Sequence, residues 1–257
     1  MSWFFLHRHF SWLSRVRFVA FDTRSLAAYD NRMRGKFITF EGGEGSGKST
    51  QALLLQTALA AKGIDAIFTR EPGGTPFAEA VRNFMLFGPA RTEPGSALAE
   101  ALLFYAARAD HVQRKIVPAL DAGTWVISDR FADSTRAYQG AAGGVPAAQL
   151  KDLERVVLGG LAPDLTFIMD LAAEAGLARA EARRLHEQSS KGATSAAVAQ
   201  RDLFEARDLA FHQRLREGFQ EIARAEPQRC ILIDALKTPE LIAAEIAQTV
   251  AQRWGPL

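Results

Sequence analysis

The chain has 257 residues, 48% of them hydrophobic and 23% charged, enough for one large α/β domain with a well-buried core and typical of a globular protein. A formal net charge of +2 gives no electrostatic footprint for nucleic acid. The single cysteine, Cys230, excludes an internal disulfide framework and fits a reducing cytoplasm, and no apolar run reaches the ~18 residues of a membrane-spanning helix.

Residues 1–34 stand apart as an N-terminal extension. They carry six arginines against Asp22 and Asp30, with interleaved Trp and Phe. Neither a compact apolar core nor a small-residue cleavage site marks them as a signal peptide. An Arg-rich targeting peptide or a membrane-surface anchor are alternatives. The reading adopted is a start at Met33, with the extension loosely docked or disordered if it is made.

From residue 35 to 257, one domain alternates short apolar runs with long amphipathic ones. Strands are expected at 37–40, 64–69, 125–128, 165–169 and 231–234. Helices are expected at 48–62, 76–87, 96–122, 147–159, 173–187, 205–225 and 239–253. Fully apolar strands in β-α alternation predict a three-layer α/β/α fold, a five-stranded parallel sheet covered on both faces. Residues 188–200 are small and polar, flanked by Arg179, Arg183, Arg184 and Arg201. Such a segment is either a solvated loop or a lid over phosphates, here bounded at about 179–204.

Residues 42–49, Gly42-Gly43-Glu44-Gly45-Ser46-Gly47-Lys48-Ser49, match the phosphate-binding loop pattern in full, between a predicted strand and a predicted helix that continues through Thr50. Glycines let backbone N–H groups turn inward around a phosphate, and the helix N-terminus adds positive dipole. Lys48 reaches the β- and γ-phosphates of ATP, and the Ser49 hydroxyl is a Mg²⁺ ligand. The motif alone fits small-molecule kinases, GTPases and partitioning ATPases equally.

Two further clusters narrow the choice. Asp129 and Arg130 end the third strand, where ligands sit in open α/β sheets; Asp129 suits Mg²⁺ and Arg130 a phosphate. Arg70 ends the second strand, before the rigid turn of Pro72, Gly73 and Gly74. Two arginines facing a phosphate loop indicate a second, phosphorylated substrate.

Taken together, residues 41–50, 70–75, 103–108 and 129–140 resemble the bacterial thymidylate kinases, a resemblance running from about Gly35 to the C-terminus. It implies a P-loop nucleotide kinase that moves the ATP γ-phosphoryl group to dTMP in dTTP biosynthesis, with ATP and Mg²⁺, as a cytoplasmic homodimer. By that resemblance Phe104 stacks on thymine and Arg108 donates to its O4. Thr135 reads the N3 edge, Tyr138 excludes a ribose 2′-hydroxyl and Glu44 meets the 3′-hydroxyl. Arg70 and Arg130 hold the 5′-phosphate, and Ser134 and Gln139 join the acceptor site. The loop lacks an arginine of its own, so the catalytic cation is expected from the lid, from Arg179, Arg183, Arg184 or Arg201, of which Arg179 and Arg183 share one helical face. Where relatives often carry Asp-Arg, this chain reads Asp202-Leu203. A P-loop kinase for another nucleoside monophosphate, and an ATPase switch binding partner proteins, are the alternative readings.

Overall fold

The computed structural model describes residues 34–88, 95–191 and 203–255, with side chains omitted from 187 to 191. The readings of residues 1–33 and of 192–202, which hold most of the predicted loop or lid with Arg201 and Asp202, lie outside the described residues. Five strands, β1 (Phe37–Gly42), β2 (Ala66–Arg70), β3 (Trp125–Asp129), β4 (Leu165–Asp170) and β5 (Cys230–Asp234), form one parallel sheet in the order β2-β3-β1-β4-β5. Every residue of β1 is buried, as a central strand covered on both faces demands.

Alternate residues of each strand face opposite layers. Ile38 and Phe40 pack with Phe167 and Ile233 under α1 (Lys48–Ala60) and α9 (Pro239–Trp254). Phe37 and Val126 pack on the other face with Ile116 and Leu120. Each fully buried Phe contributes about 2–3 kcal/mol, so the sheet centre is rigid ground for the site. Register aligns Phe40 and Arg70 with Asp129, and Gly42 with Met169. The carboxyl ends of β1, β2 and β3 therefore meet at one edge.

The other helices are α2 (Pro76–Arg82), α3 (Ala97–His111), α4 (Val117–Asp121), α5 (Ala132–Thr135), α6 (Ala147–Leu158), α7 (Ala173–Lys191) and α8 (Leu209–Ala225). Helix 173–187 runs on to Lys191 as α7, into the segment read as a loop or lid. Three further details depart from the sequence reading. Helix 76–87 changes to π-helical winding at Asn83–Phe87, and helix 96–122 does so at Val112–Ile116. Residues 205–208 precede α8, whose start is set by Asp208 capping the Phe211 N–H. The third is α5 with the π-helical stretch Arg136–Ala142 that follows it, where the sequence reading assigned no element. This run of small residues is a packing surface: a Cβ on Gly218 of α8 would lie 2.5 Å from the Ala141 methyl. Among the described residues, no helix is long and apolar enough to cross a membrane.

Candidate active site

The phosphate loop links β1 to α1 through left-handed glycines, Gly45 at φ 66° and Gly47 at φ 89°. Its outer side is tightly covered. A Cβ on Gly42 would come within 2.5 Å of the Met169 carbonyl, and one on Gly45 within 2.1 Å of the Gly176 carbonyl in α7. Lys48 folds back across the loop, its ammonium donating to the Gly43 carbonyl at 2.6 Å and to Ser46 Oγ at 3.2 Å. Burial, then the neighbouring Arg130, lowers its pKa to about 8 despite the opposing Glu44 and Asp129. Ser49 Oγ donates to Asp129 Oδ2 at the mouth of the loop. This hydroxyl–carboxylate pair is an oxygen donor set suited to Mg²⁺, which keeps waters and substrate oxygens in its shell. No cluster of three or more His, Cys, Asp or Glu that could hold a metal exists among the described residues.

Arg130 is the keystone of the cleft. It takes left-handed backbone geometry, φ 73°, costly for a residue with a Cβ. Three contacts hold it there: its N–H donates to the Phe40 carbonyl at 2.9 Å, Ser128 Oγ donates to its carbonyl at 2.8 Å, and the following Phe131 N–H donates to Glu41 Oε1 at 2.7 Å. Glu41 also accepts the Ser134 hydroxyl at 2.6 Å. Burial, then Asp133, pushes the Glu41 carboxyl up to about 8. The Arg130 guanidinium reaches the Gly42 carbonyl (3.0 Å), Ser134 Oγ (3.2 Å) and Glu44 Oε1 (2.8 Å) and lies over the Tyr138 ring at 5.0 Å. Tyr138 donates its hydroxyl to the same Glu44 oxygen at 2.6 Å. Burial raises the Glu44 pKa, but Arg130, Lys48 and Tyr138 outweigh it and leave it lowered, at about 2.

Beyond Arg130 the cleft, about 260 Å³, becomes aromatic. Phe104 and Arg108 come from one face of α3. Arg108 is buried: Nε donates to Glu71 Oε2 (2.7 Å), Nη1 to Thr135 Oγ1 (3.1 Å) and Nη2 to the Phe131 carbonyl (2.9 Å). Gln139 donates to Glu100, itself paired with Arg207 at 2.9 Å.

Not every expected residue converges. The Arg70 side chain is half exposed, pairs with Glu79 at 3.2 Å and lies outside the cavity lining. Arg82, which the sequence reading missed, lines the cavity and donates to the Pro72 carbonyl at 3.0 Å. The two lid arginines diverge. Arg183 lines the cavity and pairs with Glu205 at 3.5 Å. Arg179 packs its Cβ near Gly45 on the outer side of the loop and donates to the Ala235 carbonyl at 2.9 Å. Phe204 and Glu205, also missed, close the cavity opposite Phe104, with Phe104 and Phe204 centroids 5.9 Å apart. Glu71 had one signal available, its place in the rigid turn beside Arg70.

A phosphate loop that faces a buried-arginine pocket with aromatic walls makes this molecule a P-loop phosphotransferase with a nucleotide-sized acceptor site. Comparison with known proteins specifies it further. The family model for thymidylate kinase matches residues 40–246. The thymidylate kinase of Caulobacter vibrioides is 52% identical over 222 residues, 86% of this chain and 99% of that protein. That of Nitrobacter hamburgensis is 50% identical over 221 residues, covering 86% and 90%. The crystal structure of thymidylate kinase from Ehrlichia chaffeensis superposes with a TM-score of 0.64 at 32% identity, covering 84% of this chain and 98% of that one. The chain belongs to the thymidylate kinase family, and it is a phosphotransferase of the dTMP kinase type.

Proposed function

We propose that the chain carries out in-line transfer of the ATP γ-phosphoryl group to the 5′-phosphate of dTMP, giving dTDP and ADP, with the donor on loop 42–50 and the acceptor in the pocket beyond Arg130. The observation that carries this reading is Arg130 itself, which touches the donor loop at Gly42 and Glu44 and the acceptor wall at Ser134 and Tyr138. A cation at that junction serves the acceptor phosphate and the transferring group together.

The acceptor is already an anion, so positioning and charge neutralisation do the work and no strong base is needed. Lys48 leaves its own loop carbonyl for the donor phosphates. Arg183 supplies the lid cation from the cavity side, and Arg179 borders the donor from outside. Ser49 and Asp129 hold Mg²⁺, which when bound neutralises phosphate charge. Glu44 has accepting capacity left for the sugar 3′-hydroxyl, since a carboxylate accepts about four hydrogen bonds. Phe104 stacks on the base, Arg108 and Thr135 read its edge, Tyr138 fills the 2′ space, and Gln139 lies beneath. Arg70 joins the 5′-phosphate by exchanging Glu79, at little cost because an exposed ion pair contributes only about 0–1 kcal/mol.

We further propose a cytoplasmic homodimer. The neighbouring helices α2 and α3, with the π turn between them, expose Phe77, Phe84, Phe87, Leu98 and Leu102, each 40% or more accessible, an apolar face of the kind a second copy covers. Sedimentation at micromolar concentration distinguishes dimer from monomer. ADP release with Mg-ATP and dTMP, dUMP, UMP, dCMP, AMP or thymidine tests the reaction. Turnover with dTMP far above the others is expected. Preference for another acceptor overturns the base assignment, and acceptor-independent hydrolysis overturns the kinase.

A further inference from the structure

Arg108 is held by more than its own contacts. It has five N–H donors in a rigid plane, and three are taken by Glu71, Thr135 and the Phe131 carbonyl. The Glu71 carboxylate spends its second oxygen on His111, whose Nδ1 lies 2.9 Å from Oε1. His111 Nε2 lies 2.7 Å from Thr69 Oγ1 at the end of β2. Glu71, Arg108, His111 and Thr69 are all at most 5% exposed. An ionised carboxylate only accepts, so His111 presents Nδ1–H to Glu71, and its Nε2 shares the other hydrogen bond with the Thr69 hydroxyl. The chain is closed at its far end by Gly74, where a Cβ would lie 2.5 Å from His111 Nε2 and 2.6 Å from Thr69 Oγ1.

We infer that His111 is a positioning residue for acceptor specificity: acting through Glu71 and anchored by Thr69, it holds the Arg108 guanidinium in the one plane that presents its remaining donors to a pyrimidine carbonyl. The geometry gives the reason. Nε of Arg108 and Nδ1 of His111 grip the two oxygens of one carboxylate from residues three apart on α3. The carboxylate can therefore rotate only by breaking one of two bonds in a water-poor interior, where unmatched groups are costly. A guanidinium carries donors only, so it favours the O4 carbonyl of thymine and opposes the 4-amino group of cytosine. Free to tilt, it would swing those donors off the line to the carbonyl and lose that preference; held in place, it keeps them aligned. The inference rests on Arg108 reading the acceptor base.

The test measures kcat and KM for dTMP and dCMP, and KM for ATP, in wild type and in His111→Phe, His111→Asn, Thr69→Val and Arg108→Met. With His111→Phe, the dTMP KM is expected to rise about tenfold and the dTMP-over-dCMP ratio of kcat/KM to fall about tenfold, as for supporting residues of a site, with kcat and the ATP KM little changed. His111→Asn, whose amide can replace Nδ1–H, should restore most of the ratio. Thr69→Val should shift it in the same direction by roughly threefold, and it decides the matter if His111→Phe does not fold. An unchanged ratio in His111→Phe, or an equal loss for both acceptors, beside a collapsed ratio in Arg108→Met, overturns the tether alone. An unchanged ratio in Arg108→Met overturns the base reading, and the tether with it.

Discussion

The donor and acceptor halves of the cleft are built by opposite means. The donor half is eight consecutive residues, 42–49, shaped by left-handed glycines and backbone carbonyls. The acceptor half gathers side chains from residues 71, 104, 108, 130, 135 and 138: Arg108 ties Glu71 to Thr135, Arg130 and Tyr138 share Glu44, and Phe104 packs against Phe204. A loop held by its backbone tolerates side-chain change except at the group that touches phosphate. A pocket held by side chains passes damage from one member to the next.

That contrast can be broken most directly at Lys48. Lys48→Ala should lower kcat by about 10³-fold, some 4 kcal/mol of transition-state stabilisation, with the fold and the dTMP affinity intact. The pH dependence follows from the same residue. With a pKa lowered to about 8 in the free protein, Lys48 loses its charge as pH rises through 8, so ATP affinity measured by calorimetry should weaken between pH 7 and 9. Near-normal turnover of the variant would remove Lys48 from the chemistry.

Arg130→Ala strikes the junction and should cost about 10²-fold in kcat/KM for dTMP while moving the ATP dissociation constant less than threefold. Equal losses on both substrates would make the two halves one unit.

Glu41 sharpens the comparison on the stability side. Glu41→Ala leaves the Phe131 and Ser134 N–H groups without their acceptor and should cost about 2–3 kcal/mol in urea unfolding. Glu41→Gln keeps an acceptor for those groups and should cost less than ~1 kcal/mol. The folded carboxyl, pushed up to about 8 from 4.5, holds a proton that the unfolded chain releases. Its stabilisation is complete below 4.5 and is lost as pH rises toward 8, so Glu41→Gln should flatten that limb of the stability profile.

The smallest effects separate the lid arginines. Arg183→Ala should reduce kcat about tenfold and Arg179→Ala less than threefold, since only Arg183 lines the cavity. The reverse order would mean that α7 turns over during the catalytic cycle.

The same division explains what could be read from the sequence. The phosphate loop and the apolar strands are contiguous patterns with local physical causes, and both stand out from residue types alone. Phe104, Arg108 and Tyr138 could be singled out only through resemblance, because a Phe on an amphipathic helix looks like core and here is nearly buried as well. Glu41 and His111 carry no local signal for their roles, since their partners lie 90 and 42 residues away, and Glu71 had only its place in the turn beside Arg70. The π-helical run Arg136–Ala142 escaped because its one glycine and three alanines carry no helical pattern until α8 lies against them.

Gly45 and Gly176 touch backbone to backbone where no side chain fits. Near its N-terminal turn, α7 is thereby pinned to the loop, and any displacement of the rest of the helix pivots about that point. At about 1.5 Å of rise per residue, Arg183 stands about 10 Å from the pivot and Arg179 about 4.5 Å. A swing of α7 thus carries Arg183 roughly twice as far as its neighbour, gearing the cavity-facing cation to the motion and sparing the one beside the loop.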